Sequence, residues 1–182
     1  MTRAVFLDRD GVIIKDTGYL HERDKVSFFP RVSEAVKLLN EQGFKVIVIT
    51  NQAGVARGYF TEETVREINQ FIQDMLAEQE AIIDRFYYCP HHIEGVVEAY
   101  RKACYCRKPN PGMLEQAARD FRIELSKSFV IGDNLIDIEA GRRVGCRTIM
   151  LNNRECCSKG DITPDYVAPD LYEAVKWILK LM

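Results

Sequence analysis

The chain has no apolar run approaching the about 18 residues that a membrane-spanning helix needs, so no transmembrane segment is expected. It has no excess of either charge. Lys and Arg total 25 against 27 Asp and Glu, a net charge of −2, with both signs spread along the chain. No polybasic stretch is present, which argues against nucleic acid or an anionic membrane as a partner. Repeats, low-complexity tracts and linkers are also missing. The first residues enter an apolar run without a signal-peptide pattern, so a cytoplasmic protein is expected. In a reducing compartment, six cysteines read as metal ligands or buried thiols rather than disulfides.

What is present is an alternation of short β-branched runs with helix-patterned stretches. It predicts a doubly wound, mostly parallel α/β sheet. The 182 residues fit one domain, 1–182, large enough to bury roughly 70% of its unfolded surface. Strands are predicted at Ala4–Leu7, Lys45–Thr50, Phe86–Tyr88, Ser128–Gly132 and Thr148–Leu151, with a short edge strand at Tyr166–Val167. Helices are read from Val32 to Leu39 with Gly43 as a stop, and after Thr61 with Val65, Ile68, Phe71, Ile72, Met75 and Leu76 inward. Others follow Asn110 with Pro111 at the first helical position, run from Asp137 to Val144, and carry Leu171 to Leu179. Trp177 reads as packing.

Polar groups cluster just past the strands, where open α/β sheets place their ligands. Asp8-Arg9-Asp10-Gly11 follows the first strand. Two carboxylates so close repel unless a cation lies between them or one stays protonated. Hard oxygen ligands suit Mg²⁺, which also takes phosphate oxygens. One carboxylate can attack phosphorus while the other moves the proton. Thr50-Asn51-Gln52 ends the second strand, Arg107-Lys108-Pro109 precedes a helix, and Gly132-Asp133-Asn134 with Asp137 ends the fourth. Together they form a phosphoryl-transfer set: a metal site, hydroxyl and amide donors, and a cation for developing charge.

A second cluster lies at about 89–106. Cys89-Pro90-His91 and Cys104-Tyr105-Cys106 are two ligand pairs with twelve residues between His91 and Cys104. A Cys₃His set is a common structural Zn²⁺ site, and an irregular loop of this length usually needs a staple. His92 is the rival to His91. Cys146 is expected to be buried, and Cys156-Cys157 to form an exposed loop pair.

Asp8-x-Asp10-Gly11, Thr50, Lys108 and Gly132-Asp133 with Asp137 resemble the four motifs of the haloacid dehalogenase (HAD) superfamily of phosphatases. The resemblance is closer to the D-glycero-D-manno-heptose 1,7-bisphosphate and histidinol-phosphate phosphatases. It rests on Phe6–Gly11, Asp16-x-Gly18-Tyr19, Thr50–Gly58, Tyr88–His92 and Cys106–Met113, and runs from about Val5 to Leu151. It implies a Mg²⁺-dependent phosphomonoester hydrolase without a large cap domain. Asp8 would be the nucleophile that forms an aspartyl-phosphate, and Asp10 the acid and base. Thr50 and Lys108 would hold the phosphoryl oxygens. Asp8, the Asp10 carbonyl and Asp133 would hold Mg²⁺, and Cys89, His91, Cys104 and Cys106 a structural Zn²⁺.

Asp137 is expected either to orient Lys108 or the metal waters, or simply to cap its helix. Specificity would come from the stapled insert and from Asp16, Gly18 and Tyr19. Asn51, Gln52, Arg57, Arg107 and Asn134 are further candidate contacts to a small phosphorylated sugar. Asn134 departs from the Lys often found there in the heptose enzymes, so histidinol phosphate stays open as substrate. A nucleic-acid end phosphatase is disfavoured by charge, and a non-catalytic zinc module by the intact Asp8–Asp10 pair. No oligomeric state is read from the sequence, and a monomer is compatible with it.

Overall fold

Strand β1 (Ala4–Leu7) is fully buried along its length and carries one side-chain set to each face, as the two-residue period of a strand requires. Val5 and Leu7 join one core, Ala4 and Phe6 the other. The computed structural model describes residues 2–152 and 162–182. Around β1 it assembles β2 (Lys45–Asn51), β3 (Arg85–Cys89), β4 (Phe129–Gly132), β5 (Arg147–Leu151) and β6 (Tyr166–Ala168). The order is β3-β2-β1-β4-β5-β6 and every pairing is parallel.

Helices α1 (Val32–Glu41), α2 (Glu62–Ala77) and α5 (Leu171–Lys180) bury Leu39, Ile72 and Val175 against the Val5–Leu7 face. Helices α3 (Gly112–Phe121) and α4 (Leu135–Arg143) bury Leu114 and Ala140 against the Phe6 face. The chain winds outward from β1 through β2 to β3, then returns to the other side of β1 as β4. That reversal opens a crevice at the carboxyl ends of β1 and β4. Among the described residues no helix is long and apolar enough to cross a membrane.

The predicted elements form, with local differences. Pro111 is the N-cap of α3 rather than its first helical residue. Along α2, Phe71 and Met75 are only half-buried, while polar Asn69 is buried among the apolar positions. Thr61 caps that helix by accepting from the Thr64 amide. Trp177 packs as expected, its ring parallel to Tyr166 at 4.7 Å. Cys146 is buried; Cys156 and Cys157 lie outside the described residues.

Candidate active site

The first polar residues past β1 are held from several sides. The Arg9 amide donates to Asp8 Oδ1 at 2.7 Å. The Arg9 side chain is 1% exposed, and a guanidinium buried so deeply must spend its donors on protein acceptors. Its Nε and Nη2 donate to the two oxygens of Asp10 at 3.1 and 3.3 Å, and Nη1 donates to Asn69 Oδ1 at 3.0 Å. This explains the buried asparagine on α2. Sequence reasoning passed over Arg9. The available signal was a charge two residues past a strand buried on both faces, which has to find a partner inside.

Gln52 Nε2 donates to Asp10 Oδ2 and to Thr50 Oγ1, both at 2.9 Å, and Thr50 Oγ1 lies 3.5 Å from Asp10 Oδ2. Asp10 is thus fixed by the fork of Arg9 and by the end of β2. Gly11 has φ +87°, and a Cβ there would fall 2.0 Å from Asp133 Oδ2. Only glycine lets the Asp133 carboxylate come so close to the β1 loop.

Lys108 is buried among two carboxylates and a carbonyl. Nζ lies 3.0 Å from Asp8 Oδ1 and 2.6 Å from Asp137 Oδ1, and donates to the Ile49 carbonyl at 2.8 Å. Asn51 grips the backbone of the same residue: its Nδ2 donates to Lys108 O and its Oδ1 accepts from Lys108 N, both at 3.1 Å. Burial pulls the ammonium's pKa down, but Asp137 and Asp8 outweigh it and the net shift is upward. Burial pushes the Asp8 carboxyl up to about 8; Lys108 opposes this, and the neighbouring Asp137 and Asp10 charges add to it.

Asp137 meets both readings of its role at once. While Oδ1 faces Lys108, Oδ2 accepts from the Asn134 amide at 3.2 Å, closing a capping box with Asn134. Asn134 Oδ1 accepts from the Ile136 amide at 3.3 Å. Asparagine is among the best N-caps and lysine is not, which gives a local reason for the residue found here.

A cavity of about 410 Å³ opens over these groups. All the predicted catalytic and substrate-facing residues line it except Arg57: Asp8, Asp10, Asp16, Gly18, Tyr19, Thr50, Asn51, Gln52, Arg107, Lys108 and Asn134, together with Asp133. Arg57 instead pairs with Glu94 at 3.4 Å, away from the lining. Its place in the loop after β2 suggested a contact that the turn of that loop does not make. Ala53, Gly54 and Ile136 line the cavity without having been predicted; apolar and small residues leave no chemical signal in the sequence.

Two groups suit a metal. Carboxylate oxygens of Asp8, Asp133 and Asp137 lie within 4.8 Å of one another. Such a group of carboxylate oxygens offers the hard ligands that a divalent cation such as Mg²⁺ takes. Ligand atoms of Cys89, His91, Cys104 and Cys106 also lie within 4.8 Å of one another. His91 Nδ1 is 3.7 Å from Cys89 Sγ and 3.6 Å from Cys106 Sγ. His92 turns away, its Nδ1 accepting from the Glu94 amide at 3.1 Å. The Cys106 thiol donates to the Cys89 sulfur at 2.9 Å and holds Cys89 down at about 6, toward the thiolate that metals bind.

This second cluster is tied to the first. The Cys89 carbonyl accepts the Gln52 amide at 2.8 Å, and Lys108 follows Cys106 by two residues. Arg107 Nη1 donates to the His91 carbonyl at 3.3 Å.

Known proteins resemble this chain over most of its length. A HAD-hydrolase-like family model matches residues 105–174. The chain is 42% identical over 183 residues to the D-glycero-D-manno-heptose-1,7-bisphosphate 7-phosphatase of Chlorobaculum tepidum, covering 95% of this chain and 92% of that one. It is 39% identical over 178 residues to the D-glycero-beta-D-manno-heptose-1,7-bisphosphate 7-phosphatase of Escherichia coli K12, covering 95% and 93%. The crystal structure of D,D-heptose 1,7-bisphosphate phosphatase from B. bronchiseptica, complexed with magnesium and phosphate, superposes over 100% of both chains. Its TM-score is 0.88 at 28% identity.

Proposed function

This chain belongs to the HAD-like phosphatases, in the family of the heptose-1,7-bisphosphate 7-phosphatases, and we propose that it removes the 7-phosphate of D-glycero-D-manno-heptose 1,7-bisphosphate. The observation that carries this reading is the convergence of Asp8, Lys108 and the Asp10–Gln52 pair on one cavity, with Arg9 holding Asp10 from beneath. An Asp8 carboxylate oxygen attacks phosphorus, the bond from phosphorus to the sugar oxygen breaks, and Asp10 gives that oxygen its proton. Asp10 then takes a proton from water as the water oxygen attacks the aspartyl-phosphate. The Asp8–phosphorus bond breaks, and inorganic phosphate leaves.

Lys108 and Thr50 face the transferring oxygens, where fixed donors lower the barrier most. Asp8, Asp133 and the Asp10 main-chain carbonyl are the ligands for Mg²⁺, which supplies charge neutralisation of the phosphoryl oxygens when bound. Cys89, His91, Cys104 and Cys106 are the ligands for a structural Zn²⁺. Arg107, at the cavity rim, suits the distal phosphate through its planar fork.

A substrate screen tests the reading. Both heptose bisphosphate anomers and histidinol phosphate are compared by kcat/KM, and a heptose bisphosphate should be preferred. A higher kcat/KM on histidinol phosphate would overturn it in favour of the amine-bearing ester.

The metal assignment makes a pH-dependent prediction. In the unfolded chain an Asp titrates near about 4, whereas burial holds Asp8 at about 8 in the metal-free fold. Between those values the folded state keeps a proton that the unfolded state has lost. Metal-free stability therefore falls as pH rises through that window. A dication favours the ionised carboxylates, so the stabilisation by Mg²⁺ should grow over the same range. Thermal melts with chelator and with Mg²⁺, at about pH 5.5 and about pH 8, should show the wider gap at the higher pH. An equal gap, or a wider one at the lower pH, would contradict the assignment.

The second metal site predicts a split result. The purified protein should hold about one Zn²⁺ per chain, and Cys104→Ser should lower that content. The Cys89–Gln52 and Cys106–Lys108 connections reach the reacting groups, so kcat should fall along with substrate affinity. Metal analysis and thermal melting check the site itself. Full zinc content in the variant would refute the ligand set, and a loss confined to KM would refute the connection to Lys108 and Gln52.

A further inference from the structure

Two loops meet beside the catalytic cavity through their aromatic side chains. One follows the β1 turn and carries Gly18-Tyr19 and His21; the other follows β2 and carries Gly58-Tyr59 and Phe60. The Tyr19 and Tyr59 rings stand edge to face, with centroids 4.6 Å apart. His21 stacks on Phe60 at 6.1 Å. Both tyrosines are exposed, at 45% and 55%, although large aromatic rings normally seek burial. Tyr19 lines the cavity that holds Asp8 and Asp10.

The backbone of each loop is built for this meeting. Gly18 and Gly58 have φ +88° and +72°, a region that side chains disfavour. A Cβ on Gly18 would meet nothing within 4 Å, so that glycine serves the turn and not a close contact. Asp16 Oδ1 accepts from the Gly18 amide at 2.8 Å and fixes the turn. In the second loop, the Phe60 ring fills the space where a Gly54 Cβ would lie, 2.3 Å from it. The Ala56 carbonyl accepts the amides of Val96 and Val97 at 2.8 and 3.0 Å. The loop bearing Tyr59 is therefore braced from behind by the cysteine-bearing insert, while its ring leans on Tyr19 in front.

We propose that Tyr59 is a positioning residue that determines specificity: it sets the Tyr19 ring at the cavity mouth as a surface for the C–H face of a polyhydroxylated substrate. A tyrosine offers such a substrate an apolar ring and a hydroxyl on one rigid side chain. This inference rests on the sugar-phosphate reading above. It assigns the second tyrosine a role that acts through the first.

Steady-state kinetics of Tyr59→Ala, Tyr59→Phe, Tyr19→Ala and the double alanine variant test it. Heptose bisphosphate and acetyl phosphate, which is too short to reach the rim, are the two substrates. Edge-to-face contacts of this kind are worth about three- to tenfold in affinity. Tyr59→Ala should raise KM for the heptose ester by that factor, with a smaller change in kcat. Tyr59→Phe keeps the ring edge and should stay within about twofold of the parent. The double variant should add little to Tyr19→Ala, because Tyr59 acts through Tyr19.

An unmoved KM for the heptose ester overturns the proposal. So does an equal loss on acetyl phosphate, or full additivity of the two alanine substitutions. If the unmodified protein turns over acetyl phosphate but no heptose bisphosphate, the substrate reading has failed separately. The same variants are then compared on the sugar phosphate that the screen selects, and the proposal fails if Tyr59→Ala has no effect on KM there.

Discussion

Asp8→Asn is expected to leave essentially no turnover in a protein that still folds. The amide has the shape of the carboxylate, and its oxygen can still accept from the Arg9 amide and the Lys108 ammonium, now at 2.7 and 3.0 Å. What is lost is the anionic oxygen that attacks phosphorus. Removing a covalent nucleophile costs on the order of 10⁴-fold or more in kcat. Stability should hold in the absence of metal, because burial already keeps the Asp8 carboxyl protonated below about pH 8 and a neutral amide then replaces a neutral acid. Turnover by a sample free of host phosphatase, measured beside an unchanged thermal melt, would remove Asp8 from the mechanism.

Lys108→Met should fail in two ways at once. Methionine matches the length of the lysine stem but leaves Asp8 and Asp137 facing each other without the ammonium that lies 3.0 and 2.6 Å from them. Removing one partner of a buried ion pair typically costs about 3–5 kcal/mol, and Lys108 pairs with two carboxylates here. Denaturant unfolding of the metal-free protein should show a loss of that order. Turnover should also collapse, since a fixed cation facing the transferring phosphoryl group is removed. If Mg²⁺ restores the variant's stability but not its turnover, the two roles are separate. A variant with nearly parental kcat would show that Lys108 is an ion-pair partner and takes no part in the chemistry.

The strands and the polar groups at their ends were legible because each is a local pattern. Ala4–Leu7 reads as a doubly covered strand from four consecutive apolar residues, and the carboxylates of Asp8 and Asp10 follow it in the chain. The cysteine pairs are local in the same way. His91 and His92, however, are neighbours in sequence, and only the fold turns one toward the sulfurs and the other toward the Glu94 amide. Arg57 sits in a loop whose flanking residues do line the cavity, but its side chain meets Glu94, 37 residues away. No local pattern gives the direction of that loop.

The sequence by itself determined which chemical groups this protein has at the ends of its strands: paired carboxylates, a threonine, a lysine and a Cys₃His set. These depend on residue type and short spacing, and hydrophobic periodicity carries them to one end of a parallel sheet. The tertiary structure decided which of those groups share a charge and a hydrogen bond. Lys108 joins Asp8 and Asp137 across 100 residues of chain in one direction and 29 in the other. Arg9 reaches Asn69, and Tyr19 meets Tyr59, in the same long-range way. Such pairings depend on distances of a few ångströms between separate elements. Sheet order and helix packing set those distances, and no periodicity along the chain encodes them.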